Sequence, residues 1–173
     1  MVLNIPAGVP APGTLSLTLI PMTGVVDRSA LKATEAAAVG ALNFSCYVMS
    51  DGYGRAGEQA KTERRRICSA ITYDVLGTKK VTFDAIKAIY DPQKPADVVS
   101  KLYAMVVEGT EFYLVERLGK PGTTELAATD IYDLYHVRVG NKTKLVPGDD
   151  GELEFTFEVS NLDDPTIDKA MVA

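Results

Sequence analysis

Polar and apolar residues alternate with a period of two along much of the chain, the pattern of half-buried β-strands. The strictest case is Glu152 to Val159 (ELEFTFEV). Leu153, Phe155, Phe157 and Val159 point to a core, and Glu152, Glu154, Thr156 and Glu158 point away. Thr14 to Ile20 (TLSLTLI) repeats the pattern. In Ala41 to Met49, regular pairing would put Leu42, Phe44, Cys46 and Val48 on one face. Thr110 to Leu118 and Thr129 to Val139 are further strands. A Gly119–Gly122 turn follows the first, and Gly140-Asn141 and Pro147-Gly148 separate the second from the last strand. Ile67 to Gln93 predicts a hairpin. Ile71, Tyr73 and Val75 lie on one arm, Val81, Phe83 and Ala85 on the other, and the turn is Leu76–Lys80, where Gly77 is free to take a positive φ. After Ala85 the phase shifts to Ile86, Ala88 and Tyr90, as a bulge would cause, and the YDPQ turn at Tyr90–Gln93 ends the strand.

Two stretches carry helical signals. In Asp97 to Glu108, Val98, Val99, Leu102, Met105 and Val106 form one apolar stripe, with Asp97 to cap the start and Gly109 to end it. Ala30 to Val39 is rich in helix formers, with Ser29 as N-cap and Gly40 as terminator. Ser50 to Thr62 differs in kind. It holds three glycines and no aliphatic residue larger than alanine. It is longer than the roughly 2–5 residues of a hairpin turn and predicts a long loop that orders against a neighbouring subunit. Met1 to Gly13 is expected to be an extended N-terminal arm. Ser160 to Ala173 is expected to be a polar tail that packs on a neighbour or frays. Six or seven strands with one clear helix predict a single α+β, mostly β, domain over 1–173. Its architecture is a β-sandwich or half-barrel with one flanking helix.

Composition narrows the function classes. Of 173 residues, 46% are hydrophobic and 24% charged, enough for one core. No apolar run reaches the ~18 residues that span a bilayer, so no membrane role is expected. No basic stretch precedes an apolar block at the N-terminus, so no secretory signal is expected. The formal charge of −5 argues against a protein that grips nucleic acid by its phosphates. It does not exclude a surface that nucleic acid passes without sticking. Arg64, Arg65 and Arg66 form the one basic cluster, read as a solvated or subunit-contacting turn.

Catalytic chemistry is not apparent. Cys46 and Cys68 fit no zinc pattern and are expected as buried free thiols, and the single histidine, His136, supplies no second imidazole. His136 lies in a strand with Tyr132 and Tyr135, which favours a structural role. Asp149-Asp150 and Asp163-Asp164 fall in turn contexts, and Asp130 with Asp133 is a third carboxylate pair. Gly52 to Gly57 is not followed by a convincing helix, so no dinucleotide site is expected. No cofactor and no metal site are predicted. Glu152, Glu154 and Glu158 could join Asp74 and Asp84 in one negative wall. That wall is either an ordinary solvated face that blocks edge aggregation or the lining of a channel for a polyanion.

Several runs together resemble a known family. They are Leu42–Gly52 (LNFSCYVMSDG), Arg66–Ser69, Gly77-Thr78, Tyr90–Gln93, Glu108–Thr110, Tyr113–Val115 and Arg117. In order and spacing this set is similar to the major tail proteins, or tail tube subunits, of long-tailed, non-contractile bacteriophages, especially those of actinobacterial hosts. The likeness covers roughly 31–119. It implies a non-enzymatic virion protein, made in the host cytoplasm and built into stacked hexameric rings. Strands of each subunit would close an inner β-barrel through which double-stranded DNA passes without tight binding. It implies that the loop with Asp51, Gly52, Tyr53, Arg55, Glu58 and Lys61 reaches an adjacent ring. The lumen would be acidic, with Asp74, Asp84, Glu152, Glu154 and Glu158 as its candidates. It implies a tape-measure protein and tail terminator and distal tail proteins as partners. The rival readings are the inner tube of a contractile tail or injection system, a monomeric β-barrel ligand-binding domain, and a hydrolase using His136.

Overall fold

The computed structural model describes residues 11–147 and 151–173. The first ten residues of the expected N-terminal arm, Gly148 of the expected turn and the Asp149-Asp150 pair lie outside the described residues. The strands are β1 (Leu15–Pro21), β2 (Leu42–Asn43), β3 (Arg55–Arg65), β4 (Thr72–Phe83), β5 (Ile86–Ile89), β6 (Glu111–Leu118), β7 (Ile131–Lys144), β8 (Glu154–Asn161) and β9 (Thr166–Ala170). Two short helices, α1 (Ala33–Ala36) and α2 (Lys101–Met105), accompany them.

Seven strands form one antiparallel sheet in the order β2-β1-β6-β7-β8-β5, with β9 added to β7. Strand β7 organises it. One edge pairs with β6, and the other takes β9 at its start and β8 at its end. The result is a mostly β, half-barrel body with short helices.

Both faces of this sheet are covered, which is why β6 is a nearly unbroken buried run. On the first face Leu17, Leu19, Leu114, Tyr135, Val137, Phe155 and Phe157 pack under Phe44 and under Leu102 and Val106 of the α2 segment. On the second, Ile20, Tyr113, Val115, Tyr132 and Leu134 pack under Leu31 and Ala36 of the α1 segment and under Met171. Each buried side chain of this size contributes about 1.5–3 kcal/mol.

Several expectations need correction. The hairpin does not turn at Leu76–Lys80. Thr72–Phe83 is one strand, and its partner is Arg55–Arg65, which begins inside the stretch expected as a loop and runs on into the expected arginine turn. The connection is Arg66–Ile71. Gly77-Thr78 is absorbed as a bulge opposite Ala60, where the register shifts. Gly77 takes no positive φ. The strand at Ala41–Met49 shrinks to two residues. Asn43 Oδ1 accepts from the Ser45 N–H (3.0 Å) and hydroxyl (2.7 Å), and this local turn pulls the chain off the sheet. Phe44 then turns inward, while Cys46 is exposed. Cys68 is exposed as well, so both thiols are free but neither is buried.

The helix at Asp97–Glu108 is shorter than its stripe suggests. A 3-10 turn at Val98–Ser100 precedes α2, and Asp97 Oδ1 accepts from the Val98 N–H at 2.7 Å as its cap. Val98 is 60% exposed and falls outside the buried stripe. At α1 the N-cap is Lys32, whose N–H donates to Glu35 Oε2 at 2.9 Å, and Ser29 is engaged in a turn with Asp27 instead. Strand β7 runs through Gly140-Asn141 as a bulge rather than turning there. A Cβ on Gly140 would come 3.2 Å from Glu158 Cβ, so glycine fits that crossing best. The tail from Ser160 is ordered on its own chain. It returns as β9 and buries Met171 in the second core.

Candidate functional site

Among the described residues, strands β3 and β4 pair with each other and with no other strand. The eleven residues of β3 and the first nine of β4 are all exposed. At about 3.3 Å per residue the arm projects roughly 35 Å. A lone two-stranded ribbon is marginal in water, because it has no face against which to bury side chains. This one nonetheless exposes Ile67, Ile71, Tyr73, Val75 and Leu76. Glu63 lies directly opposite Asp74, a like-charge pair that weakens an isolated ribbon. Arg64, Arg65 and Arg66 stand at its far end. Exposed apolar surface of this kind is characteristic of interaction sites.

The root is built differently. The Tyr53 hydroxyl donates to Glu116 Oε2 at 3.1 Å, and Arg55 Nε donates to the same oxygen at 2.7 Å. Arg55 Nη2 donates to Asp133 Oδ2 at 3.1 Å, and its guanidinium lies 5.6 Å from the Tyr135 ring centre. Phe83, the last residue of β4, meets Tyr135 edge-on at 5.2 Å. Burial works against the charge on Arg55, but the Glu116 carboxylate beside it outweighs that and holds the guanidinium more firmly protonated. Burial, reinforced by Glu116, pushes the Tyr53 hydroxyl well above the ordinary phenol range, and burial does the same for Tyr135. Both tyrosines are therefore neutral donors. Gly52 and Gly54 pass so close to the Lys87 carbonyl and the Asp84 carboxylate that a Cβ would collide at either position.

The residues expected on the inter-subunit loop thus divide into three groups. Asp51 sits 3.9 Å from Lys87 on the body, and Gly52 and Tyr53 pack against the body. Arg55 anchors the root, and Glu58 and Lys61 lie outward on the arm. Of the body's half of the root, Glu116 was not singled out from sequence, and Asp133 was noted only as a carboxylate paired with Asp130. The available signal was two adjacent charges, Glu116 and Arg117, inside the apolar run of β6.

The acidic residues also divide. Asp74 is on the arm, and Asp84 lies at its root between β4 and β5. Glu154 and Glu158 share the second face of β8, with Glu152 just before that strand. Glu154 is 3.1 Å from Lys87, which offsets its charge, and Glu158 is exposed. An open groove of about 820 Å³ separates Lys79–Phe83 of the arm from the β8 end at Glu158–Asn161 and the segment after it.

His136 joins two carboxylates, with Nδ1 3.0 Å from Asp163 and Nε2 3.1 Å from Glu111. Arg28 holds Asp163 through two bonds of 2.7 Å, and Arg138 pairs with Glu111. Burial alone would raise the Asp163 carboxyl, but hydrogen bonds from Arg28 and His136 lower it. No hydroxyl or thiol reaches His136 among the described residues, so the network ties loops to the sheet rather than activating a nucleophile. Arg117 is buried beside Asp130 at 2.8 Å and donates to the carbonyls of Pro121, Thr124 and Glu125. Burial opposes ionisation of Asp130, yet hydrogen bonds from Lys120 and Arg117 hold its carboxyl at about 2. Among the described residues no cluster of His, Cys, Asp and Glu could hold a metal ion, and no helix is long and apolar enough to cross a membrane.

No curated protein matches the chain. A family model for phage tail tube proteins matches residues 2–173, and so takes in sheet, root and arm together. In a subunit that assembles into a tube, an arm with no cover of its own has a place: the chain belongs to the phage tail tube protein family, as a structural, non-enzymatic subunit of the virion tail.

Proposed function

We propose that the protein forms hexameric rings that stack into the tube of a long, non-contractile phage tail of the actinobacterial-host type it resembles. The projecting arm carries this reading. It exposes apolar residues and unbalanced charge over a length no compact monomer needs, and a neighbouring copy would supply the missing cover. Each ring would close its sheets into an inner barrel, which removes open strand edges. Head-to-tail stacking is a heterologous contact that grows as an open filament. Glu58 and Lys61 on β3 and Arg64, Arg65 and Arg66 at the far end are the arm residues placed to meet the next copy.

Double-stranded DNA would pass through the lumen without being held. The second face of β8 supports this, because Glu158 is exposed there and Glu152 and Glu154 lie along the same strand end. A phosphate backbone is repelled by such a face, which favours sliding. Asp74 and Asp84, on the arm and at its root, would add to the acidic lining once rings close. A tape-measure protein would set tube length, and tail terminator and distal tail proteins would cap its ends.

Negative-stain electron microscopy over a concentration series tests the reading. Sixfold rings or tubes with a central channel are the expected result. A protein that stays monomeric at every concentration, with and without its tape-measure protein, would overturn it.

A further inference from the structure

We propose that Arg55, with Glu116 and Asp133, is the positioning cluster that fixes the angle at which the arm leaves the body, and so the register at which a second copy docks. This rests on the reading that the arm engages a neighbour.

At the root the two chains of the arm are bound to each other, the Asp84 N–H donating to the Gly54 carbonyl at 2.9 Å. On the body side, the Lys87 N–H of β5 donates to the Gly52 carbonyl at 2.9 Å and ties the entering chain to the sheet. The first bond stays within the arm and the second within the body, so these two bonds alone leave the arm able to pivot between them. The groove beside Lys79–Phe83 leaves room for that pivot on one side. Tyr53 and Phe83 add apolar contact with the body, which tolerates a range of angles. The directional tie is Arg55. Its planar guanidinium uses Nε for Glu116 on β6 and Nη2 for Asp133 on β7, two strands fixed by one fork.

The tie is selective because Glu116 is only 5% exposed. A buried carboxylate is tolerated when paired and costly when stranded. Its side-chain partners among the described residues are Arg55 and the Tyr53 hydroxyl, both at the foot of the arm. Swinging the arm withdraws both and strands the charge, so one angle is favoured over the rest. Arg55 itself is about one-third exposed at the edge of the body, and beyond it the arm adds only the partly buried Val81 to the first core. What the cluster governs is therefore direction, more than the stability of the sheet.

The native cysteines make this measurable. Cys46 is on the body and Cys68 at the far turn of the arm, and both are free and exposed. Spin labels on the two, in protein diluted with excess unlabelled chain, report the intrachain body-to-arm distance. The double variant Arg55→Met/Glu116→Gln removes both charges, so neither is left buried alone. The expected result is one narrow distance distribution in the parent and a broad one in the variant, with the thermal midpoint of the body kept. If a tenth of the arms then hold the competent angle, docking weakens about tenfold, seen as a matching rise in the concentration needed for tubes. Arg55→Lys keeps the charge and loses the fork, and should give an intermediate width; it carries the test if the double variant fails to fold. An unchanged distribution overturns the proposal. So does a broadened distribution with unaltered tube assembly. Normal tubes from a protein lacking the arm would instead overturn the underlying reading that the arm engages a neighbour.

Discussion

The body and the arm are both antiparallel β-structure, yet they obey opposite rules. Through the middle of β6 and the first half of β7 side chains on both faces are buried, most of them Leu, Val, Tyr and Phe. In β3 every side chain is exposed, and the residues are Arg, Glu, Gln, Lys and Ala. The body is stabilised by what it buries within one chain. The arm holds its shape through its own ladder and its root, and most of its side chains stay exposed. Alternation along a sequence therefore reports burial rather than strand geometry itself.

The largest expected effect follows directly. Phe155→Ala in the first core should cost about 3–5 kcal/mol in denaturant unfolding, with Leu102→Ala close behind at about 2–5 kcal/mol. Tyr73→Ala on the arm should stay within about 0.5 kcal/mol. A large loss from Tyr73→Ala in the dilute monomer would mean that the arm is already packed. The pair Arg117 and Asp130 gives the next effect. Asp130→Ala leaves a buried guanidinium without its carboxylate and should cost about 3–5 kcal/mol.

A pH series sharpens the same point. The Asp130 carboxyl drops from 3.8 to about 2 on folding. Its contribution is fully present above about pH 4 and is lost as pH falls through about 2. Asp163, lowered by Arg28 and His136, acts in the same direction. The parent should lose stability steeply over this window, and Asp130→Asn should flatten the profile. Equal slopes in the two proteins would count against the Asp130 assignment. The smallest effect is at Val98, where Val98→Ala should change stability by less than about 0.5 kcal/mol because the side chain lies outside the stripe.

How much was legible in the sequence follows from the same contrast. Phe155, Phe157 and Val159 in β8 and the apolar run of β6 were read correctly, because burial on a defined face leaves a period-two record. Most of Arg55–Arg65 fell in the expected loop Ser50–Thr62 because no face of it is buried within the chain. Gly140-Asn141 and Gly77-Thr78 carry turn chemistry but serve as bulges, and the flanking pairing that decides between the two is non-local. Ala41–Met49 kept its alternation only on paper, since Asn43 and Ser45 replace the ladder with a side-chain turn. The tail hid β9 because Asp163 and Asp164 look solvated until Arg28 and His136 are placed beside Asp163. Of the candidate site, Arg55 and Tyr53 were named, while Glu116 was missed and Asp133 was paired with Asp130 instead, because the true pairings with Arg55 join residues more than sixty positions apart.

The most direct test replaces residues 59–79 with an Asn-Gly turn between Glu58 and Lys80, which already face each other across the ribbon. The melting midpoint and electron micrographs of that protein are then compared with the parent. The account predicts an unchanged cooperative melt and no tubes at any concentration. Normal tubes, or a body that no longer folds, would contradict the claim that the arm belongs to the assembly and not to the fold.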